Sequence, residues 1–488
     1  MTLTVYNTLT RRQEPFETVE PGFVKMYCCG VTVYDYCHLG HARSYIVWDV
    51  VRRYLQWRGY QVRYIQNFTD IDDKILNRAR EQGSTMEAVS NRFIDAYFED
   101  IRRLNVMDAD NYPRATEHIE EIEALIKSLE DKDLAYAASG DVYYRVQSFH
   151  TYGKLSGRNL EQMQVGASGR VEIEDPESKK KQYPLDFALW KAAKPGEPSW
   201  DSPWGKGRPG WHIECSAMIK SELGDTIDIH SGGGDLIFPH HENEIAQSEG
   251  AITKPLARYW MHNGMVIVDG KKMSKSLGNF ITIRDLLDGK WSKYPQPIDP
   301  MAIRLFVLQA HYRKPLDFTE EAIAGAVNSW NTLKEGLLFG EQFREKLGFT
   351  SDGNLLDKSL IERFSECGDD DLNFSGSLAV LFELAKKLVR EGNILVHGGK
   401  TETPTAELQT AWHTLVTLAH VLGLEAKLEQ TETNSTGLND GEINELIKQR
   451  TEARANKNFA ESDRIRNELQ AQGITLIDTK AGTTWHRI

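Results

Sequence analysis

The stretch His38-Leu39-Gly40-His41 decides the fold, because it joins a predicted strand to a predicted helix. The strand candidate before it is Val24-Lys25-Met26-Tyr27, and a loop leads from that strand to the HLGH stretch. Apolar residues recur at helical spacing from His41 to Arg58, and Val62-Arg63-Tyr64-Ile65 is the next strand candidate. This order predicts a βαβ unit of an α/β protein. The N-terminus of its helix presents free N–H groups and a positive dipole, which suits a phosphate.

A second short string, Lys272-Met273-Ser274-Lys275-Ser276, lies more than two hundred residues further along the chain. It predicts a mobile basic loop, here named the KMSKS loop, with Gly278 as a candidate hinge. Each string alone recurs by chance, and capping histidines or a solvated loop are the ordinary alternatives. In this order, the pair indicates an enzyme that splits ATP between its α- and β-phosphates. The catalytic candidates are His38, His41, Lys272 and Lys275, and the ATP-binding candidates are His38, Gly40, His41 and Lys275.

The length, composition and net charge of the chain limit the classes of protein to which it can belong. A chain of 488 residues is too long for one core, so several domains are expected. The sequence shows neither a membrane span nor a signal peptide, and its five cysteines suit a reducing cytosol, so we expect a cytoplasmic protein. A net charge of −13 argues mildly against nucleic acid, although residues 441–488 carry a net +1.

Changes in the spacing of apolar and polar residues along the chain predict how it divides into domains. Residues 210–264 resemble the closing half of the first sheet, and about 108–205 form an insertion between the two halves. After residue 320 the apolar spacing predicts a helical bundle, with long helices over 324–338, 377–396 and 405–424. The polar segment 429–440 is typical of a linker, and a small module follows it.

A metal site is suggested by Phe238-Pro239-His240-His241-Glu242-Asn243-Glu244, which predicts a helix start with Pro239 in the first turn. His240 and Glu244, four residues apart, then share one face and suit zinc. Cys215 lies nearby in sequence, and Cys29 ends the first strand. Spacing alone does not select Cys29 over Cys28, and two buried apolar cysteines are the ordinary alternative.

Five long strings closely resemble cysteinyl-tRNA synthetases, a class I synthetase family. They are Met26 to His41, Asn67-Phe68-Thr69-Asp70-Ile71-Asp72-Asp73-Lys74, Pro209 to Ser216, Phe238 to Glu244 and Lys272 to Asn279. The likeness extends almost end to end, from Tyr6-Asn7 to Gly482-Thr483-Thr484-Trp485. The chain departs from the family pattern at Cys28, at Ser231 and over Asp371–Gly376, and none of these removes a catalytic group.

The resemblance implies an α/β fold with a Rossmann-type class I catalytic domain, a connective insertion, a helical bundle and a small anticodon-binding module. The implied ranges are catalytic 1–107, insertion 108–205, catalytic 206–265, stem-contact region with the KMSKS loop 266–320, bundle 321–428, linker 429–440 and anticodon-binding module 441–488. It implies attachment of L-cysteine to tRNA-Cys through cysteinyl-adenylate, with Mg²⁺ accompanying ATP. We expect a monomer.

The resemblance also places the site residues. One zinc per chain is implied on Cys29, Cys215, His240 and Glu244, where a thiolate of the substrate binds the metal far better than a hydroxyl of serine. The implied amino-acid pocket consists of Gly30, Thr69, Trp211, His230 and Asp235, although Trp211 is equally compatible with a core position.

Two alternatives stay open at the level of sequence. One is an ATP-dependent ligase that attaches cysteine to an aminosugar and has no need of residues 441–488. The other is a catalytically silent zinc- or RNA-binding paralogue. The C-terminal module favours tRNA, because a predicted helix carries basic residues that can follow phosphate. Those residues are Arg450, Arg454, Lys457, Arg464 and Arg466. Trp485 is suited either to stacking on an anticodon base or to anchoring the core of the module.

Overall fold

The computed structural model describes residues 2–160, 179–350, 355–427, 438, 440–456, 458–472, 474–479 and 482–487. The chain forms two compact units, Met1–Val389 with Thr405–Glu425, and Arg390–Pro404 with Ala426–Ile488. Most of the predicted linker 429–440 and all of Lys457 lie outside the described residues. Among the described helices, none has the length and apolar content needed to cross a lipid bilayer.

The elements are numbered in chain order. The strands are β1 Thr4–Asn7, β2 Arg12–Pro15, β3 Phe23–Cys28, β4 Gln61–Gln66, β5 Ala135–Ala138, β6 Asp141–Tyr144, β7 Phe187–Ala192, β8 Gly207–Pro209, β9 Ile227–Gly233, β10 Ala257–Asn263, β11 Val266–Val268, β12 Lys271–Lys272, β13 Leu316–Phe318, β14 Ile474–Thr479 and β15 Gly482–Arg487. The helices are α1 Leu39–Trp57, α2 Asp73–Glu81, α3 Met86–Arg103, α4 Ile119–Glu130, α5 Trp211–Leu223, α6 Glu242–Ile252, α7 Ile283–Leu287, α8 Pro300–Leu308, α9 Glu320–Leu347, α10 Lys358–Asp369, α11 Phe374–Val396, α12 Thr405–Val421, α13 Asp440–Ala455 and α14 Phe459–Ala471.

A parallel sheet in the order β10-β9-β3-β4 joins the two halves of the catalytic domain. The predicted βαβ unit is confirmed as β3-α1-β4, and Gly59 ends the turn after α1 with a φ of +93°. The two halves meet where β3 pairs with β9, with Tyr27 opposite His230. Both faces of this sheet are covered, as expected for parallel strands, and β3 is correspondingly apolar.

The inserted segment forms its own antiparallel sheet in the order β5-β6-β7-β8. This sheet shares an apolar core with α4, α5 and part of α6, in which Trp190 and Tyr144 are fully buried. Glu242, the first residue of α6, accepts hydrogen bonds from the N–H groups of Gly153 at 3.0 Å and Ser156 at 2.8 Å. The insertion is thereby fastened to the helix that carries Glu244.

The KMSKS loop extends from a small sheet in the order β12-β11-β13. The fully buried Arg43 of α1 donates to the main-chain carbonyls of Met265 at 3.0 Å and Tyr312 at 3.1 Å, beside β11. The HLGH segment is further joined to the residues after the loop, because Leu39 N–H donates to the Ile281 carbonyl at 3.0 Å. The base of the loop is therefore fixed relative to α1.

After β13 the first unit is helical, as the sequence predicts. Helix α9 packs against α8 and α12, and α10 packs against α12. The C-terminal module has a core of its own, formed by α13, α14 and the hairpin β14-β15. Ile443, Ile465 and Leu469 are completely buried in this core.

Candidate active site and metal centre

The start of α1 is built from the two histidines of the HLGH stretch. His38 Nδ1 accepts from Gly40 N–H at 3.0 Å, and His41 Nδ1 accepts from His38 N–H at 3.2 Å. The two rings stack with 3.8 Å between their centroids. A Cβ at Gly40 would lie 2.8 Å from the His38 ring, so the stack requires glycine there. The histidines do cap the helix, and they do so through Nδ1, which leaves Nε2 as the atom able to reach a ligand.

The KMSKS loop lies against this helix start. Lys275 begins a short helical turn that Ser274 caps, and Gly278 ends it with a φ of +65°, the left-handed conformation expected of a hinge glycine. Lys275 Nζ forms an ion pair with Asp35, three residues before His38. Lys272 lies exposed on β12, and its charge lowers the pKa of Asp235, although burial raises that pKa overall. The structure therefore places Lys275 near the HLGH stretch and Lys272 within electrostatic reach of Asp235.

The four predicted metal ligands converge in the core. Ligand atoms of Cys29, Cys215, His240 and Glu244 all lie within 4.8 Å of one another, and all four residues are buried. The separations are 3.9 Å between the two sulfurs, 3.6 Å from Cys29 Sγ to Glu244 Oε1, and 3.1 Å from His240 Nε2 to Glu244 Oε1. A tetrahedral zinc with its usual bond lengths separates its ligands by ~3.3–3.8 Å. The donor set and spacing therefore fit zinc.

The surroundings of the cluster also suit a cation. Burial raises the pKa of the Cys29 thiol well above its ordinary value, so a thiolate at this position needs a positive charge to stabilise it. His240 Nδ1 lies 3.0 Å from His212 Nδ1, which directs Nε2 toward Glu244. Such contacts orient metal-binding histidines.

Sequence reasoning missed His241, which contributes to a second, overlapping group with Cys29, His230 and Glu244. His241 Nε2 lies 3.3 Å from Cys29 Sγ, and its Nδ1 lies 2.8 Å from His262 Nε2. The adjacency of His240 and His241 was the available signal. Neighbouring residues of a regular helix point about 100° apart, so helical spacing alone does not place both side chains at one site.

Pro239 lies in the first helical turn after an extended residue, as the sequence predicts, but that turn is irregular. Phe238 has extended angles, φ −140° and ψ 131°, and the regular helix α6 begins only at Glu242. A residue before proline is driven out of the helical region, so Phe238 stays outside the helix that Pro239 starts. His240 and Glu244 still meet, because an irregular helical turn over Ile237–His241 leads directly into α6.

Two of the predicted amino-acid pocket residues, Gly30 and Trp211, lie beside the metal cluster. Gly30 N–H donates to Asn67 Oδ1 at 2.9 Å, and a Cβ at Gly30 would overlap the Asn67 carbonyl, so only glycine fits. Trp211 stacks on His240 with 4.1 Å between centroids, whereas the buried Thr69 pairs with Val31 through its backbone.

His230 is placed deeper than a pocket lining requires. It is completely buried, with Nε2 2.8 Å from Glu244 Oε2 and its ring stacked on Trp260. Its contact with a candidate ligand suits a residue that orients Glu244. Direct contact with a substrate is not needed to explain its position.

We expect His38 to titrate near pH 4. Burial, assisted by the charge of Lys275, lowers the pKa of His38 from 6.5 to about 4. The folded pKa lies below the unfolded value, so His38 stabilises the fold at neutral pH, and this contribution is lost as the pH falls from about 6.5 toward 4. Histidine ¹⁵N NMR, assigned with a His38→Gln variant, measures the midpoint, and a value near 6.5 would contradict the assigned burial.

Three family models match this chain. They are the tRNA synthetases class I (C) catalytic domain over residues 15–328, the DALR domain over 363–427 and the cysteinyl-tRNA ligase anticodon binding domain over 438–485. The solved structures with the same fold include methionyl-tRNA synthetase of Mycobacterium tuberculosis bound by methionyl-adenylate. It has a TM-score of 0.57 at 16% identity, covering 82% of this chain and 91% of that one. A LeuRS of Agrobacterium radiobacter K84 has a TM-score of 0.59 at 11% identity, covering 84% and 85%.

Much more similar sequences carry the name cysteine–tRNA ligase. Those of Trichormus variabilis and of a Nostoc species are each 75% identical over 487 residues, and that of Rippkaea orientalis is 66% identical over 491. Each match spans the full length of both chains. Together with the catalytic-domain match, they show that this chain belongs to the cysteine–tRNA ligase family of class I tRNA synthetases.

Proposed function

We propose that this site joins L-cysteine to tRNA-Cys in two steps. The cysteine carboxylate attacks the α-phosphate of ATP, forming cysteinyl-adenylate and releasing pyrophosphate. A hydroxyl of the terminal tRNA ribose then attacks the activated carbonyl and releases AMP. The observation that carries the proposal is the contact between the KMSKS loop and the segment that leads to the HLGH stretch, made by Lys275 and Asp35.

The two histidines would bind the phosphates of ATP, and the two lysines would stabilise the negative charge that develops on them. Burial lowers the pKa of both His38 and His41, so both rings are neutral at pH 7, and each can offer one Nε2–H to a phosphate oxygen. Negative charge accumulates on the departing pyrophosphate, where Lys275 and Lys272 supply cations. Mg²⁺ would accompany the ATP phosphates.

The metal cluster supplies selectivity. Cys29, Cys215, His240 and Glu244 would hold one zinc, and zinc favours a thiolate over the harder, much less acidic hydroxyl of serine. A site that depends on one strong contact rejects an analogue that lacks it. Gly30, Thr69, Trp211 and Asp235 remain proposals for the lining of the amino-acid pocket, and His230 would act through Glu244.

The C-terminal module would bind the anticodon, and its geometry revises the predicted contacts. Arg464 pairs with Glu461 at 2.6 Å and with Glu468 at 2.7 Å, and Arg450 is buried. Trp485 Nε1 donates to Asn444 at 3.0 Å while the ring packs on the module core, which supports the anchoring interpretation. Phe459, at the start of α14, is instead 63% exposed and offers a face for stacking.

A chain ending near Leu428 should retain adenylate formation but lose about 10- to 100-fold in kcat/KM for tRNA-Cys, since stacking on one base contributes roughly 1–3 kcal/mol. Pyrophosphate exchange and aminoacylation, measured on the same preparation, separate the two steps. In the full chain, Phe459→Ala should cause part of this loss in kcat/KM. Arg464→Gln should change kcat/KM little, because Arg464 is already paired with Glu461 and Glu468. Unchanged charging by the shortened chain would contradict an anticodon-binding role.

The aminosugar ligase is not supported, because the full-length relatives are named cysteine–tRNA ligase and residues 438–485 match an anticodon binding domain. A monomeric state and a cytoplasmic location stay predictions.

A further inference from the structure

Lys275 is docked on a carboxylate in the segment that leads to the HLGH stretch. Its Nζ forms an ion pair with Asp35 and lies 5.6 Å and 5.1 Å from the ring centroids of Tyr34 and Phe280. The side chain of Lys275 is 52% exposed, whereas that of Asp35 is only 16% exposed. The lysine is thus the mobile partner, and the carboxylate is part of the framework.

Asp35 is held in place by groups other than Lys275. Its Oδ1 accepts from the Tyr36 N–H at 2.9 Å, and its Oδ2 lies 3.1 Å from an Arg78 guanidinium nitrogen. Arg78 Nε in turn donates to the Tyr34 carbonyl at 3.3 Å. Burial opposes ionisation of Asp35, but the bonds from Lys275 and Tyr36 outweigh it and lower the pKa.

This arrangement lets Lys275 leave without isolating a charge. A partly buried carboxylate that loses its only cation is costly, but Asp35 would keep Arg78 as a permanent partner. Lys275 is therefore held firmly enough to be positioned, and weakly enough to be transferred to a phosphate.

Positioning matters because Lys275 has a long flexible side chain on an exposed turn. Without Asp35, the ammonium would sample many directions, and the transition state would have to order it at the moment of reaction. The ring of His38, a proposed phosphate ligand, lies 5.2 Å from the Phe280 ring that Lys275 also approaches. The phosphates of ATP would therefore bind on the side of Lys275 that faces His38.

We propose that Asp35 is a positioning residue that holds Lys275 beside the HLGH stretch until the departing pyrophosphate takes over the lysine. The proposal deepens the proposed function, because it rests on the role given there to Lys275. Asp35 touches no reacting atom in this scheme and acts only through the lysine.

The test is a double-mutant cycle on adenylate formation in the full-length enzyme. Single-turnover rates with ATP and cysteine are measured for the parent, Asp35→Asn, Lys275→Ala and the double variant. We expect Asp35→Asn to slow the maximal rate about 10-fold in the parent but less than about twofold when Lys275 is already alanine. Asp35→Glu should restore part of the rate, which loss of a merely structural contact would not predict.

A matched control is Asp269→Asn, because Asp269 pairs with Lys293 at 2.6 Å outside the HLGH segment and its φ of +50° suits asparagine. It should leave the rate unchanged. An unchanged or faster rate for Asp35→Asn, or an equal loss in both backgrounds, would overturn the proposal. A normal rate for Lys275→Ala would instead overturn the role that the proposed function gives to Lys275, so the two failures are distinguishable. Zinc content and thermal unfolding, expected to match the parent, verify that each variant is folded.

Discussion

Lys275→Ala should slow cysteinyl-adenylate formation by roughly 10²- to 10³-fold, the usual loss when one preorganised group facing a developing charge is removed. The lysine stands beside Asp35 at the HLGH stretch, where the charge on the leaving pyrophosphate would increase. Its contact is strongest in the transition state, so the affinity for cysteine should change little. Single-turnover measurement of adenylate, with cysteine and ATP varied separately, gives the rate and the two affinities.

The control for this variant is Lys293→Ala. Lys293 is also about half exposed and paired with an aspartate, but that aspartate, Asp269, lies outside the segment that leads to the HLGH stretch. The Lys293→Ala enzyme should form cysteinyl-adenylate at the rate of the parent enzyme. A near-normal rate for Lys275→Ala, or a loss confined to the affinity for ATP, would reject the assignment of Lys275 to the transition state.

The catalytic fold was predictable because its signals are local. The apolar spacing of α1, the glycine at position 59 and the two flanking strands specify a βαβ unit between Phe23 and Gln66. The insertion sheet was less predictable, since β6 pairs with β7 across more than forty residues. Periodicity identifies strands but does not give their partners.

The metal site was also only partly predictable, because its residues are brought together by pairing between strands that are distant in sequence. The sequence predicts that Cys28 and Cys29 point to opposite faces, but only the register of β3 with β9 decides which one meets Cys215. Cys28 lies opposite Ser231, whereas Cys29, the first residue beyond β3, reaches the cluster. Asp35 was missed for a similar reason, because its partner Lys275 lies 240 positions away.

Cys215→Ser should remove most of the zinc and with it the preference for cysteine over serine. The variant replaces one of two sulfur atoms that lie 3.9 Å apart, and a hydroxyl does not ionise to form a ligand equivalent to a thiolate. We expect metal content to fall from about one zinc per chain to well below half, and discrimination against serine to fall by at least about 10²-fold. Elemental analysis and pyrophosphate exchange with each amino acid measure the two quantities.

The chain provides its own controls for that experiment. Cys28 and Cys37 are as deeply buried as Cys29, and burial raises the pKa of Cys28 to about 12, yet neither belongs to the metal clusters of the described residues. Cys28→Ser and Cys37→Ser should therefore keep the metal while making the same chemical change. Full zinc in Cys215→Ser would exclude this residue as a ligand and would favour the overlapping group that contains His230 and His241. Loss of zinc in all three variants would instead indicate a general loss of folding, which thermal unfolding of the same samples detects.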